Sequence, residues 1–488
     1  MRLVLAVLIP VIGGLAAALG QAPWDLWWLA LGGYALGLWA VARARWPFLA
    51  AWLFGAAHFG LALNWITEPF FVNAAATAFL APVALGASAF GFGLFWAFGG
   101  WAGRRLLGGA LGAAVGLALL EIARSYVLTG FPWALPGHIL IGTDALAAAS
   151  LAGAHGLGIA VLVGAGLAAT LRPAAMATGA VIWALPFGYA ATLPPAPPAD
   201  GPVIRLVQPN APQHLKWDPD WINVFFRRGL EETAAPGDPV ATIWPETSLP
   251  ELLRYSQDIR PMIAAASGGT PVVAGAQRYG EDGRPRNSLV VLTGDGGEID
   301  LVHDKHRLVP FGEYLPFPAL FETFGIGPMA AQLAGIYAPG AGPRLIDLPG
   351  IGPVLPMICY EAIFPQDIRR VDRPRAILHL TNDAWFGTRA GPQQHLALAR
   401  LRAAESGLPL LRAANTGVSA AIDARGDVLA ALALGDQGHV DAALPGALPP
   451  TIYARVGDAL AMLLLSALAT LLFAVPRGNR LEPSSDRP

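Results

Sequence analysis

The chain has 488 residues and a formal net charge of -2, and 54% of its residues are hydrophobic while only 14% are charged. This composition is too apolar for an ordinary soluble protein of several domains. Because the net charge is near zero and no basic patch is present, nothing indicates nucleic-acid binding. The apolar excess lies almost entirely before residue 195 and after residue 454, whereas the middle of the chain has the charge content of a soluble domain.

Several segments are apolar enough to cross a bilayer as helices, which requires about 20 mostly apolar residues. Seven of them precede the middle block, at 3–19, 26–42, 47–66, 77–101, 106–123, 146–171 and 174–193, and an eighth lies at 457–475. The first follows Arg2 as a signal peptide would. It lacks a convincing small-residue cleavage site and six spans follow it, so we expect it to be retained as an anchor.

The arginines of the short loops predict the orientation, because Lys and Arg accumulate on the cytoplasmic side of a membrane. They fall at every second boundary, at Arg2, Arg43, Arg45, Arg104, Arg105, Arg172, Arg477, Arg480 and Arg487. Loops 20–25 and 67–76 have none, and Arg124 is the one exception on their side. Both termini are therefore expected in the cytoplasm and the middle block in the periplasm of a bacterium. A single cysteine suits that oxidising compartment.

A Pro-rich linker at 193–201 marks the start of the soluble block. The predicted domains are a seven-helix transmembrane region at 1–195, a periplasmic domain at 196–450, and an eighth helix with a cytoplasmic tail at 451–488. Strands are predicted at 203–208, 240–244, 271–276, 287–293, 298–303, 353–359, 376–381 and 418–423, and helices at 219–234, 249–266, 365–371 and 393–406. This alternation predicts an α/β domain with a mixed sheet. The block has no P-loop and no Gly-rich dinucleotide motif.

Polar side chains lie at or just after the ends of three of the predicted strands, at Glu246, Lys305 and Cys359. Each has an ordinary explanation when it is taken alone. Glu246 could begin a helix, Lys305 could be a solvated loop charge, and Cys359 could be buried filler. However, the carboxyl ends of strands in open α/β sheets are where sites gather. A carboxylate, an ammonium and a thiol placed there could form an activated-nucleophile site.

The motifs around these residues are similar to the Glu, Lys and Cys motifs of the nitrilase superfamily. They are Trp244-Pro245-Glu246-Thr247, residues 305–316, and Ile358-Cys359-Tyr360-Glu361. More narrowly, the chain resembles the bacterial apolipoprotein N-acyltransferase family over essentially its whole length. The likeness also includes residues 129–133, 215–217, 381–387, 394–395 and 412–417. One departure is Thr416, where the family often has a second Asn.

The resemblance implies an α/β fold of the nitrilase type, a four-layer αββα sandwich, attached to an eight-helix transmembrane bundle. It also implies a catalytic triad in which Glu246 is the general base and Cys359 the nucleophile. Lys305 and the backbone N–H of Tyr360 would stabilise the oxyanion. A base is needed because a thiol near its reference pKa is only a few per cent thiolate at neutral pH.

Supporting roles are implied for two further carboxylates, Glu313 in orienting Lys305 and Glu361 in holding the loop after Cys359. For both, a salt bridge without catalytic importance is the alternative. The candidates for substrate binding are Trp217, Trp385, Phe386 and Asn382. For the aromatic residues, ordinary core packing is the alternative.

A long apolar stretch from Leu315 to Pro339 separates two of the motifs. Its large apolar residues are Phe317, Leu320, Phe321, Phe324, Ile326, Met329, Leu333 and Ile336. Long insertions with little predicted structure are usually functional. We expect an arm on or in the outer leaflet that admits lipid to the thiol; a packed helical lid is the alternative.

The activity implied by the resemblance is acyl transfer in the bacterial inner membrane. An acyl chain from a phospholipid, typically phosphatidylethanolamine, would pass to Cys359 and then to the α-amino group of an S-diacylglyceryl-cysteine apolipoprotein. Such a covalent intermediate predicts ping-pong kinetics. No cofactor or metal is implied, and a monomer is expected. The alternatives are a membrane-bound amidase or nitrilase that uses water, and a transporter or receptor whose soluble domain only binds.

Overall fold

The computed structural model describes residues 2–323 and 337–474, without the side chains of residues 2–5, 320 and 321. The chain forms two compact units. The first comprises Met1–Pro195, Phe386–Gly407 and Pro450–Pro488, and the second comprises Ala196–Trp385 and Leu408–Pro449. One segment from inside the soluble block, Phe386–Gly407, therefore belongs to the unit that contains the apolar helices.

Helices occupy all eight apolar segments of the first unit. They are Arg2–Ala18, Trp27–Arg43, Pro47–Ala62, Ala81–Leu107, Gly109–Tyr126, Ala149–Ala168, Pro173–Ala191 and Ala459–Ala474. By length and composition, four described stretches could cross a membrane: Ala74–Leu107, Gly109–Tyr126, Asp144–Ala168 and Pro173–Ala191. The bent pair Pro47–Ala62 and Asn64–Phe71 could add a fifth, while Ala6–Ala18 and Ala459–Ala474 are shorter apolar helices.

Small residues let two of these helices approach closely. A Cβ placed on Gly103 would lie 2.1 Å from the carbonyl oxygen of Gly112, and one on Gly116 would lie 2.0 Å from that of Gly99. Any side chain at these positions would force apart the helices Ala81–Leu107 and Gly109–Tyr126. Contacts of this type are typical of helices that pack inside membranes, where van der Waals contact drives association.

Arg124, the exception to the charge pattern of the loops, is a buried interior residue. Its guanidinium Nη2 lies 2.6 Å from Glu121 Oε2 and donates to the carbonyl oxygen of Trp133 at 3.0 Å. The indole of Trp96 donates to the other oxygen of Glu121 at 2.8 Å. Because Arg124 is paired within the helical unit, it does not act as a loop charge.

Gln394 lies on the helix Gly391–Ser406, and its side-chain amide is fully hydrogen-bonded within the first unit. Its amide accepts from the indole N–H groups of Trp65 (3.1 Å) and Trp133 (2.7 Å) and donates to the carbonyl oxygens of Ala22 and Ala62 (both 3.0 Å). Burying a polar group is costly unless it is paired in this way. These four bonds therefore hold the helix Gly391–Ser406 within the helical unit.

The second unit contains two six-stranded mixed sheets. The first has the order β12-β1-β2-β3-β4-β5 and the second has the order β11-β10-β9-β8-β7-β6. The strands are β1 Val203–Gln208, β2 Ala241–Ile243, β3 Val272–Tyr279, β4 Pro285–Thr293, β5 Glu298–Asp304, β6 Ile346–Leu348, β7 Gly352–Ile358, β8 Ala376–Thr381, β9 Leu410–Ala414, β10 Ser419–Ile422, β11 Val428–Leu432 and β12 Gly438–Ala443. The strands β1, β2 and β3 are parallel to one another, as are β7, β8 and β9.

Two helices, Ile222–Thr233 and Arg260–Ser267, cover the first sheet with their apolar faces. Phe226 and Ile263 contact the same buried cluster as Trp244 at the end of β2. The predicted helix at 249–266 is wrong in its first half, which contains only the 3-10 turn Leu253–Tyr255. The helix begins at Arg260 because the next residue is a proline, which favours the first turn of a helix.

The remaining described helices are short. The α-helices are Ala74–Thr77, Pro318–Thr323 and Ile452–Val456, and the 3-10 helices include Ala78–Leu80, Cys359–Ile363, Pro365–Arg370 and Asp383–Phe386. Two further 3-10 helices, Pro136–Leu140 and Asp144–Ala148, precede Ala149–Ala168. The ends of β2, β5, β7 and β8 are the parts of this fold that position the candidate site.

Candidate active site

Cys359 lies at a sharp turn immediately after β7. The strand ends at Ile358, and Cys359 begins the 3-10 helix Cys359–Ile363 with a φ of 52°. A non-glycine residue in this left-handed region is strained and persists only where its surroundings hold it. His379 Nε2 donates to the Cys359 carbonyl oxygen at 3.1 Å, which helps to hold the turn.

Glu246 is buried in the loop after β2, and its two carboxylate oxygens are both hydrogen-bonded. Oε1 accepts from Asn287 Nδ2 at 2.6 Å, and Oε2 accepts from the backbone N–H of Asn382 at 2.8 Å. The following residue, Thr247, has a φ of 49°, and no helix begins there. The carboxylate is therefore fixed as an acceptor at the edge of the sheet and is not a helix-initiating residue.

Lys305 follows β5 and lies between two carboxylates. Its Nζ is 2.8 Å from Glu313 Oε1 and 3.5 Å from Glu246 Oε1, and the side chain is 1% exposed. Burial alone would lower the pKa of Lys305, but the charges of Glu313 and Glu246 outweigh burial and raise this pKa above its ordinary value. Lys305 is therefore an ammonium ion at any physiological pH.

The thiol of Cys359 responds to the same charges. Burial, and after it the charge of Glu246, raises the pKa of Cys359 above its ordinary value, although Lys305 and a hydrogen bond with Thr381 act in the opposite direction. The resting thiol therefore keeps its proton at neutral pH. A nucleophilic role for this sulfur would need a base to take the proton during attack.

Glu313 also orients the loop that carries Lys305. Its Oε1 accepts from Lys305 Nζ, and its Oε2 accepts from the backbone N–H of Val309 at 2.8 Å. Both oxygens are thus used within the residues that follow β5.

Glu361 joins the loop after β5 to the turn that carries Cys359. Its Oε1 accepts from the backbone N–H groups of His306 (2.7 Å) and Arg307 (3.2 Å), and its Oε2 accepts from that of Ile358 (2.7 Å). The side chain is completely buried. Charge-assisted bonds of this kind are roughly twice as strong as neutral ones, so Glu361 fixes both loops relative to each other.

The imidazole of His306, which the sequence did not single out, strengthens this connection. Its Nδ1 lies 2.6 Å from Glu361 Oε1 and its Nε2 lies 3.0 Å from Asp367 Oδ2. Burial lowers the pKa of His306, but the hydrogen bonds and charges of Asp367 and Glu361 outweigh burial and raise the pKa to about 9. At neutral pH an imidazolium therefore bridges the two carboxylates.

A metal could in principle be held by His303, His306 and Glu361, whose donor atoms lie within 4.8 Å of one another. The chemistry of these groups does not suit a ligand set, because metal-binding imidazole must be neutral whereas His306 is held in its charged form. The oxygens of Glu361 also already accept three backbone N–H groups. We assign these groups to hydrogen bonding between loops.

Asn287 is a second residue that sequence reasoning missed. It lies on β4, and its amide donates both to Glu246 Oε1 at 2.6 Å and to Glu313 Oε1 at 3.3 Å. Its own carbonyl oxygen accepts from the backbone N–H of Lys305 at 2.8 Å. The available signal was weak, because the polar residues Arg286 and Ser288 flank Asn287 in the same strand.

The candidates for substrate binding have different surroundings. Asn382 lies in the site through its bond to Glu246, and its side chain bonds to Gln213 and Asn415, both at 2.8 Å. Trp217 is 42% exposed beside a cavity, and Trp385 is 40% exposed. Phe386 is not grouped with them, because it lies in the first unit.

The contacts of Phe386 are aromatic. Its ring centroid is 5.0 Å from that of Trp65 and 5.4 Å from that of His395. For the aromatic candidates, ordinary core packing of this type is the alternative to substrate binding. Tyr360 is buried, and its ring makes an edge contact with Phe364 at 5.1 Å.

Only the two ends of the expected arm, 315–323 and 337–339, fall within the described residues. Phe317 is 58% exposed and precedes the helix Pro318–Thr323. The side chains of Leu320 and Phe321, and residues Phe324, Ile326, Met329, Leu333 and Ile336, lie outside the described part of the chain. The arm stays a prediction.

Two mixed sheets with a Glu, a Lys and a Cys at strand ends define a domain of the carbon-nitrogen hydrolase class. Residues 241–448 match the family model described as carbon-nitrogen hydrolase. Among solved structures, the chain matches a mutant Nesterenkonia amidase from the nitrilase superfamily at 17% identity and a TM-score of 0.36, over 56% of this chain and 99% of the amidase.

The helical unit matches a more specific family. Residues 13–167 match the model described as the apolipoprotein N-acyltransferase N-terminal domain. The apolipoprotein N-acyltransferase of Caulobacter vibrioides is 36% identical, over 94% of this chain and 93% of the relative. That of Rhodopseudomonas palustris is 35% identical, over 95% and 94%. The chain belongs to the apolipoprotein N-acyltransferase family.

Proposed function

We propose that this protein transfers an acyl chain from a membrane phospholipid to the α-amino group of S-diacylglyceryl-cysteine apolipoproteins through a thioester on Cys359. The observation that carries the proposal is the position of Lys305, with its Nζ 2.8 Å from Glu313 and 3.5 Å from Glu246, and with both Lys305 and Glu246 acting on the Cys359 thiol. The names of the relatives support the acceptor. The donor, typically phosphatidylethanolamine, is what the family resemblance implies.

The first half-reaction is acylation of the thiol. Glu246 takes the proton from Cys359 as the sulfur attacks the ester carbonyl, and the oxyanion that forms is stabilised by the ammonium of Lys305 and by the backbone N–H of Tyr360. Each such donor is worth about 3 kcal/mol of barrier. Collapse of this intermediate breaks the ester C–O bond, and the proton on Glu246 passes to the departing lysophospholipid alcohol. The products are a Cys359 thioester and a lysophospholipid.

The second half-reaction is attack of the acceptor amine on the thioester. Glu246 now removes the proton of the attacking amine, and the same cation stabilises the second oxyanion. The C–S bond breaks, the thiolate of Cys359 takes the proton back, and the lipoprotein leaves with a new amide bond. Two transfers through one covalent intermediate give ping-pong kinetics.

The membrane topology belongs to the same proposal. Eight spans would place residues 196–450 in the periplasm as a four-layer αββα sandwich and both termini in the cytoplasm of a monomer. The arginines at alternate boundaries support this orientation, and the eight apolar helices support the number of spans. Because both substrates are lipids, tethering the thiol at the membrane would replace a three-dimensional search by positioning.

The reaction is tested with the purified protein in vesicles that contain phosphatidylethanolamine with isotope-labelled acyl chains. With a synthetic diacylglyceryl-cysteine peptide present, mass spectrometry should show a gain of one labelled acyl chain on the peptide amine, and Cys359→Ala should abolish this gain. Release of labelled fatty acid alone would favour a hydrolase that uses water and would overturn the proposal. Ammonia release from simple amides, without lipopeptide product, would have the same meaning.

The topology is tested separately, because Cys359→Ala leaves a chain without cysteine. One new cysteine is placed at the exposed Glu251 and, in a second variant, at the exposed Arg45. A membrane-impermeant maleimide should label the first in intact spheroplasts and the second only after lysis. The reverse pattern would place the domain in the cytoplasm.

A further inference from the structure

The chain has 32 Lys and Arg residues, of which only two, Lys216 and Lys305, are lysines. Both lysines are buried, and both contact Glu246. Lys305 reaches the carboxylate, whereas Lys216 reaches the main chain of the same residue. The other Lys and Arg positions are all arginine, and the two lysine ammonium groups both contact the same residue, Glu246.

Lys216 Nζ donates to the carbonyl oxygen of Glu246 at 3.2 Å and to Thr247 Oγ1 at 2.8 Å. Within the described residues it forms no ion pair, so its acceptors are both neutral. The ammonium also lies 5.7 Å from the centroid of the Trp217 ring. The side chain is 6% exposed. Burying a cation on neutral acceptors is costly, so the position needs an explanation.

The segment that Lys216 contacts is under strain. Thr247 has a φ of 49°, which is unfavourable for a β-branched residue. On the other side of the segment, a Cβ at Gly275 would lie 2.2 Å from the backbone nitrogen of Thr247, so only glycine fits there. The backbone N–H of Gly275 donates to the carbonyl oxygen of Pro245 at 3.1 Å. Lys216 and Gly275 together hold the segment that aims the Glu246 carboxylate.

We propose that Lys216 is a positioning residue for the general base: its ammonium fixes the strained Glu246–Thr247 segment and places a second positive charge beside the Glu246 carboxylate. This inference rests on the proposed role of Glu246. Arginine would be a poor substitute, because its planar, bulky guanidinium does not replace a compact ammonium that points at one carbonyl and one hydroxyl oxygen.

The charge of Lys216 is sensitive to pH. Burial lowers the pKa of Lys216 to about 8, and the nearby Glu246 acts in the opposite direction. The charged form therefore prevails below pH 8 and is lost above it. Glu246 is the charged group that acts on Lys216 among the described residues, and the pKa of Lys305 is raised, so Lys305 does not titrate in this range.

The coupling between Lys216 and Glu246 is measured without reference to activity. In protein labelled with 13C at the lysine ε-carbons, NMR should show two lysine signals, one of which titrates with a midpoint near pH 8. This signal should be absent from Lys216→Arg. Glu246→Gln should move its midpoint to lower pH, because the attraction that favours the ammonium is lost. A midpoint near that of an exposed lysine, or one unmoved by Glu246→Gln, would overturn the inference.

The positioning role is measured as the single-turnover rate of Cys359 acylation from labelled phospholipid between pH 6 and 10. We expect Lys216→Met to lower this rate by about 10- to 100-fold at pH 7, which is the range for a misplaced catalytic group. Lys216→Arg should recover part of the rate. The acylation rate of the unchanged protein should decline near pH 8, and that of Lys216→Arg should not. Thermal unfolding of each variant separates misfolding from mispositioning.

The matched control is Arg228→Met. Arg228 also donates to two main-chain carbonyl oxygens, those of Pro209 and Asn210, both at 3.2 Å, but it does not contact the Glu246–Thr247 segment. Its removal should leave the rate and the pH profile unchanged. An equal effect of Arg228→Met and Lys216→Met would contradict the inference. If the unchanged protein forms no acyl adduct on Cys359 at any pH, the proposed function is wrong. If the adduct forms at a rate that does not change when Lys216 is replaced, only the role proposed for Lys216 is wrong.

Discussion

The amide of Asn287 joins the carboxylate of Glu246 to that of Glu313. It donates to Glu246 Oε1 at 2.6 Å and to Glu313 Oε1 at 3.3 Å, and Glu313 Oε1 in turn accepts from Lys305 at 2.8 Å. A donor shared by two carboxylates holds both of them in fixed positions. Asn287 thus links the proposed base to the residue that orients the proposed oxyanion cation.

Replacement of Asn287 by leucine should remove this donor and leave the ammonium of Lys305 as the remaining link between the two carboxylates. Because Glu246 Oε1 would lose its shortest hydrogen bond, the carboxylate would be less well positioned, and the rate of Cys359 acylation at pH 7 should fall by about 10-fold or more. Single-turnover rates between pH 5 and 8 provide the measurement. An acylation rate equal to that of the unchanged protein across this range would show that Asn287 is only a packing residue.

Replacement of Glu246 by glutamine keeps the shape of the side chain and removes its basicity. Because the thiol of Cys359 is held protonated, acylation should slow by about 10²- to 10⁴-fold, which is the usual contribution of a general base. The exposed Glu251 provides the control, since Glu251→Gln makes the same chemical change outside the site. Near-normal acylation by Glu246→Gln would assign the base to another residue.

The contribution of His306 to stability should depend on pH. Its pKa in the folded protein, about 9, is above the ordinary value of 6.5. The stabilisation from His306 is therefore fully present below about pH 6.5 and is lost as the pH rises through 9. The difference in thermal-unfolding midpoint between the unchanged protein and His306→Gln should shrink over this range.

His439 offers a control for that measurement, since it makes a similar contact with Glu232 at 2.7 Å in a more exposed place. His439→Gln should cost less stability at pH 6. A His306→Gln difference that is constant from pH 6 to 10 would argue against the bridging imidazolium.

Gln394→Leu should destabilise the helical unit. It leaves two buried indole N–H groups and two carbonyl oxygens without their partner, at about 1–3 kcal/mol for each unsatisfied group. We expect the thermal-unfolding midpoint in detergent to fall by several degrees. Gln393→Leu on the same helix is the control, because within the described residues its amide makes one hydrogen bond, from Nε2 to the carbonyl oxygen of Thr388. Equal midpoints for both variants would be inconsistent with a stabilising role for the four hydrogen bonds of Gln394.

Much of this fold could be predicted from the sequence, because composition and side-chain type are strong signals where they are uniform. All eight apolar segments are helical, and eight of the twelve described strands were located. The strands β6, β9, β11 and β12 were missed: β6 has only three residues, and Ala, Arg, His and Asp in the other three give little strand signal, although pairing with neighbours makes them strands. The grouping of 386–407 with the apolar helices depends on contacts such as those of Gln394, which sequence spacing does not encode.

The residues of the candidate site, too, could be predicted from the sequence only in part. Glu246, Lys305 and Cys359 stand in recognisable motifs at strand ends, so sequence was sufficient to select them. The roles of Asn287, His306 and Lys216 come from cross-strand and inter-loop neighbours that are 30 to 61 residues away in the chain. Only the folded arrangement identifies which groups each of them contacts.

The most direct test of the account is the mass of the peptide that contains Cys359 after incubation with acyl-labelled phosphatidylethanolamine. The proposed mechanism predicts one labelled acyl chain on this peptide, which neutral hydroxylamine should release, as expected for a thioester. The label should be absent from Cys359→Ser and should be removed when the diacylglyceryl-cysteine peptide is added. An unmodified Cys359 in a preparation that nevertheless acylates the peptide would contradict it.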